Sequence, residues 1–173
     1  DALVALNFFE DKVTGVLSLN GHNYNVGPYE NGEKNTFVIF QEDNLNIPNP
    51  FECSTEDPVE LKMERANASR SSENSKVRVY IECDNHLYKN LGSNAQKVTD
   101  FTTGLFNIVA TLYQNESIEL EISEIKIWTT PDPYPTSSAK NARNDFGQRL
   151  NGNFNGDIAH LLSNYKTNGT PPN

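Results

Sequence analysis

The chain has 173 residues, with 14 Lys and Arg against 23 Asp and Glu, a net charge of −9, and 36% hydrophobic residues. That length allows one ordinary domain, or one small domain and part of another. The acidic balance argues against nucleic acid as a partner, which requires a basic face, and no stretch approaches the roughly 20 apolar residues that span a bilayer.

In chain order, the first elements read as β. Residues 2–9 are largely apolar, and residues 12–19 alternate, with Val13, Gly15, Leu17 and Leu19 on one side. Asn20-Gly21 is a two-residue hairpin signal, because both central positions of a type I′ turn take positive φ. A third strand over 22–26 is expected to break at Gly27-Pro28, and a fourth covers 36–41. The result is a small antiparallel meander with too little core to be robust alone.

Ile47-Pro48-Asn49-Pro50 then stops regular structure, since proline lacks a donor and restricts its predecessor. From Cys53 to Ser75 the chain is rich in Ser, Glu, Asp and Asn, and 66–75 has no apolar periodicity. This stretch reads as a surface linker open to proteolysis. Residues 1–75 carry 13 acidic and 5 basic side chains, whereas 76–173 carry 10 and 9. The imbalance therefore lies almost wholly before and within the linker.

After it the period changes. Residues 77–83 form a strand with Val77, Val79, Ile81 and Cys83 on one face. Ser93-x-x-Gln96 has the form of a capping box, followed by Val98, Phe101, Leu105, Ile108, Val109 and Leu112 at helical spacing. Gly104 within that helix suggests close packing. The strand over 118–128 switches its apolar positions from even to odd, which implies a bulge near Ser123-Glu124. Ser137 or Ser138 caps a helix reaching about Leu150, and 158–162 is a last short apolar element. Strand, helix, strand, helix, strand implies an α/β unit whose first two strands are parallel, joined by a helical crossover. The chain as a whole is α+β.

The run Val77-Arg-Val-Tyr-Ile-Glu-Cys-Asp-Asn-His-Leu-Tyr88, the helix ending Leu105-Phe-Asn-Ile-Val-Ala-Thr-Leu-Tyr113, and Ile122-Ser-Glu-Ile-Lys-Ile-Trp128 resemble the opening half of a reprolysin (adamalysin or ADAM-like) metzincin protease. Asp157-Ile-Ala-His-Leu-Leu162 is similar to that family's D-N-A-Q-L-L segment. Phe9–Pro28 and Thr36–Asn44 resemble the hairpin and following strand that end the family's propeptide. The linker and long helix are most similar in style to secreted bacterial members. The resemblance implies a propeptide-like meander over 1–48, a linker over 49–75, and the first part of a metalloprotease domain over 76–173.

Members of that family hold zinc with H-E-x-x-H-x-x-G-x-x-H, whose Glu acts as general base on the zinc-bound water. This sequence contains no such motif; His22, His86 and His160 are far apart. The resemblance thus implies a secreted zinc endopeptidase acting on protein substrates. In this reading the zinc ligands lie beyond these residues, in a missing C-terminal half, and Thr170–Asn173 marks a truncation rather than a domain end. The chain by itself is expected to be inactive. A non-enzymatic β-rich adhesion or binding module is the alternative.

Three side chains remain open. Cys53 stands where the family often carries an inhibitory cysteine switch, a thiolate on the zinc, although Ser54 replaces the usual Gly. A disulfide to Cys83, or an inert thiol, is the other reading of two cysteines. Cys83 itself alternates with Ile81 and is expected to pack as a small apolar group. Asp157 matches a calcium-binding position of the family, but the family's partner Glu falls at Arg78, whose charge would repel Ca²⁺. Asp157 is therefore expected to cap. Trp128 and the alternating Glu119, Glu121 and Glu124 read as a packing residue and a solvated strand face.

Overall fold

The structure, a computed structural model, describes residues 2–29, 35–45, 76–135 and 138–164. Cys53, the segment 49–75 and Thr170–Asn173 lie outside the described residues. The architecture is α+β, with a four-stranded antiparallel sheet whose strands lie in chain order and a separate three-stranded parallel sheet.

The meander consists of β1 (Ala2–Phe8), β2 (Val13–Leu19), β3 (His22–Pro28) and β4 (Phe37–Gln41). Leu19 pairs with His22 across the two-residue turn, where Asn20 and Gly21 take φ of 53° and 81°. The expected break at Gly27-Pro28 comes later than predicted, because Gly27 pairs with Val38 and Pro28 with Phe37. Proline is tolerated there as the last residue of its strand. Paired residues share a face, so Val4, Phe8, Leu17, Leu19, Val26 and Ile39 lie together on one side. That side is open, with Phe8 76% and Ile39 64% exposed. The other side carries Leu3, the buried Ala5, and Asn7.

β5 (Val77–Cys83) is the central parallel strand, flanked by β6 (Leu120–Ile127) and β7 (Ile158–Leu162). Between β5 and β6 come a short helix α1 (Asn85–Asn90), which the sequence reading missed, and the long α2 (Ala95–Asn115). The N-cap of α2 is Asn94, one residue after the predicted Ser93; its Oδ1 accepts from Lys97 N at 3.1 Å. Ser93 has φ 54° and closes the α1 turn by donating its N–H to Tyr88 O. A left-handed residue cannot serve as the extended cap of the next helix. Gln96 bonds forward to Asp100 rather than back to a cap. α3 (Ala139–Leu150) starts as predicted, with Ser138 Oγ accepting from Asn141 N.

The core lies between α2 and one face of the parallel sheet, where Val79, Ile81, Cys83, Leu87 and Val98 cluster. The bulge falls where expected. Val79 pairs with Ile122 but Tyr80 with Glu124, leaving Ser123 as the extra residue. It turns Ile125 and Ile127 onto the α2 side with Ile122, and Lys126 and Trp128 onto the other side.

α2 passes through Gly104 without a break, although mid-helix glycine costs about 1 kcal/mol relative to alanine. The reason is contact with the meander. A Cβ on Gly104 would stand 3.2 Å from Phe9 Cζ. Asn7 Nδ2 donates to Gly104 O at 3.1 Å, and Asn107 Nδ2 donates to Asn7 Oδ1 at 2.7 Å.

Candidate functional site

The sequence reading treated β5 as apolar on one face only. In the structure Tyr80 and Glu82, on the face opposite Val79 and Ile81, are buried as well, and Glu82 is 0% exposed. An isolated buried carboxylate is costly unless its oxygens are filled by donors. Here they are filled. Tyr80 Oη donates to Oε2 at 2.8 Å, Lys126 Nζ reaches Oε1 at 3.2 Å, and Trp128 Nε1 and Tyr134 Oη also donate to Oε1.

Local structure explains each partner. Tyr80 is two residues back on the same strand, hence on the same face. Lys126 is directly across in register with Glu82, and Trp128 follows on that face of β6. Without the extra residue Ser123, both would point at α2 and be lost to Glu82 as donors. Tyr134 arrives from the loop after β6, whose shape is set by Asp132. Its carboxylate accepts from Asn85 N and from Tyr134 N, both at 2.9 Å. Aromatic contacts complete the wall. Trp128 and Tyr134 meet edge to face at 6.3 Å, Tyr134 and Phe146 of α3 at 5.9 Å, and Lys126 lies 4.3 Å over the Trp128 ring.

Burial pushes the Glu82 carboxyl up, but the hydrogen bonds from Tyr134, Trp128, Tyr80 and Lys126 outweigh it and hold the group below its ordinary range. Burial, followed by the hydrogen bond to Glu82 and then its charge, raises Tyr80 and Tyr134, so both stay protonated donors. A carboxylate filled in this way has no role as a general base. It ties two strands and the 128–135 loop into one block.

The carboxyl ends of the parallel strands are closed in the same manner. Trp128 N donates to Cys83 O, Asp84 N to Leu162 O, Leu87 N to Asp84 Oδ1, and Asn85 Nδ2 to Trp128 O. Such strand ends are where open α/β sheets bind ligands; here backbone and loop occupy them. The open surface lies elsewhere. A groove of about 350 Å³ runs between α2 and the sheet, lined by Leu105, Val109, Tyr113, Ile118, Ile158 and His160. β7 pairs with β5 on one side, and no described strand pairs with its other side.

The predicted site residues are scattered. His22 Nδ1 lies 3.0 Å from Asp43 Oδ2 at the meander surface, His86 sits on α1 beside Asn90, and His160 is on β7. Among the described residues no group of three or more His, Cys, Asp or Glu is placed to hold a metal ion, so these residues do not fit zinc. Asp157 Oδ2 accepts from Arg78 N at 2.7 Å, while Arg78 Nη2 donates to Asn155 Oδ1 at 2.7 Å. The carboxylate therefore caps the start of β5, with the guanidinium close by. Cys83 is a free, buried thiol, 3.3 Å from Thr102 Oγ1. Burial raises it further from ionisation.

The Glu82 cluster was the part that sequence reasoning missed. Its signal was present in the alternate positions, Tyr80 and Glu82 on one strand, Lys126 and Trp128 on the next, which the apolar pattern of the other face obscured. Among the described residues no helix is long and apolar enough to cross a membrane. A family model described as metallo-peptidase family M12, of the reprolysin group, matches residues 73–170, more than half of the chain. The match begins just before β5 and includes both Glu82 and the groove.

Proposed function

Because this chain belongs to metallo-peptidase family M12, we propose that it is the pro-segment end and first catalytic half of a secreted, zinc-dependent endopeptidase. In this reading residues 1–48 are pro-segment, 49–75 the connection cut on activation, and 76–173 the scaffold of the protease domain. Zinc is held by residues outside this chain, and the chain alone does not hydrolyse peptides. The observation that carries the reading is the match over 73–170, in a sequence without H-E-x-x-H.

Two features of the fold support it. The groove beneath α2 and the unpaired side of β7 are apolar and hydrogen-bonding surfaces suited to further strands and a helix of the same domain. The Glu82 block makes the sheet and its loop a rigid support for such additions. Cys53 is the candidate for the thiolate that silences the zinc before cleavage. Asp157 serves as the cap of β5, and calcium has no part in this reading.

The test is expression of the protein continued past Asn173 and assay of peptide hydrolysis with and without a zinc chelator. Chelator-sensitive cleavage restored by zinc is expected; its absence sinks the protease reading. Cys53→Ala in that longer precursor should raise activity before processing, and unchanged activity removes Cys53 from the scheme.

A further inference from the structure

The meander and the parallel sheet lie on opposite sides of α2. Val98, Thr102, Phe106 and Val109 turn toward the sheet, whereas Gly104 and Asn107 lie roughly half a turn away. At that outward face the helix surrenders a side chain, and the Phe9 ring fills the space, with Phe9 Cε2 3.4 Å from where a Cβ would sit. Asn7 spans the contact in both senses, donating to Gly104 O and accepting from Asn107. One residue thus matches a backbone carbonyl and a side-chain amide a helical turn apart. The meander has reason to need this surface, since Ala5 is its one buried hydrophobic side chain among the described residues.

We propose that the outward face of α2 around Gly104 is a docking surface for the N-terminal meander as a separate piece, so that cutting the connection leaves the two parts bound. Its biological meaning rests on the N-terminal unit being a pro-segment; the docking itself does not. A unit seated there leaves the groove and the unpaired side of β7 uncovered. It supports the helix from behind instead of plugging the front. Any inhibition by the N-terminal region then belongs to the connection, where Cys53 stands, and not to the meander.

The experiment uses the whole 173-residue chain with a recognition sequence for a site-specific protease placed between residues 60 and 70. After cutting, the two pieces should co-elute in size-exclusion chromatography at about 50 µM, as expected for micromolar association. Asn7→Ala should weaken that association about tenfold through loss of both hydrogen bonds. Gly104→Leu should weaken it more, although leucine is the better helix former. Should Gly104→Leu fail to fold, Asn7→Ala decides, because it adds no bulk. Fluorescence of Trp128 in the uncut Asn7→Ala chain should be unchanged, locating the loss at the interface. Separate elution of the wild-type pieces at that concentration, or unweakened association in Asn7→Ala, overturns the proposal. Neither result bears on chelator-sensitive hydrolysis by the longer protein, so the two readings fail independently.

Discussion

Glu82→Ala is expected to be among the most destabilising single changes in the parallel-sheet unit. The substitution leaves Tyr80 Oη, Trp128 Nε1, Tyr134 Oη and Lys126 Nζ without their acceptor. A buried donor stranded in this way costs about 1–3 kcal/mol; that applies in full to Tyr80, which is buried, and less to the half-buried Trp128 and Tyr134. Lys126 adds little, because its side chain is 43% exposed and water screens it. Water entering the vacated space returns part of the loss, so about 3–5 kcal/mol is expected, the range seen when one partner of a buried pair is removed. Against a typical total of about 5–15 kcal/mol, that is a large fraction. Glu82→Gln should cost less, about 1.5–3 kcal/mol. Its carbonyl still accepts at the Oε1 position, and its amide donates to Tyr80 Oη once that hydroxyl turns. Urea unfolding followed by far-UV circular dichroism measures both, and Trp128, the single tryptophan, reports on the cluster by fluorescence. A Glu82→Ala midpoint within about 1 kcal/mol of wild type, or a Gln variant less stable than the Ala variant, would refute the account of Glu82 as a filled acceptor.

Other expectations follow from the same geometry. The folded-state pKa of Glu82 lies below its unfolded value, so its contribution to stability is complete above about pH 4.3 and is lost as pH falls through the folded value. Stability of Glu82→Gln, monitored at Trp128, should therefore fall less steeply with acidification than that of the wild type, and an unchanged acid limb would count against this. Cys83 should resist alkylation in the native chain and react fully in denaturant, as read by peptide mass spectrometry; rapid native labelling would contradict its burial. Gly15→Ala places a Cβ 2.1 Å from Ala5 O, a backbone conflict that cannot relax locally. It should abolish hydrogen-exchange protection in β1 and β2 while leaving Trp128 fluorescence intact.

Much of the fold was legible in local sequence. Asn20-Gly21 specified the hairpin because only a positive-φ pair closes a two-residue turn with the right twist. The shift of apolar residues from Ile122 to Ile125 specified the bulge, because a strand has period two and cannot otherwise keep one face apolar. The cap of α2 was misplaced by one residue because Ser93 and Asn94 are both good capping residues. The choice between them was made by the α1 turn, which draws Ser93 into the left-handed region.

What sequence alone determined was the strands and the two longer helices, the bulge, and the metalloprotease resemblance, all carried by periodicity, turn chemistry and ordered motifs; the short α1 was not among them. Tertiary structure decided the rest. A glutamate in a strand reads as solvent-facing until a second strand, displaced by Ser123, brings Lys126 and Trp128 beside it and a loop adds Tyr134. Likewise Gly104 hinted at a close approach, but which surface approached, and that Asn7 and Phe9 would meet it across nearly a hundred residues, depended on how two sheets pack around one helix. Local propensity acts over a few residues, whereas burial and donor pairing depend on neighbours that only the folded chain supplies.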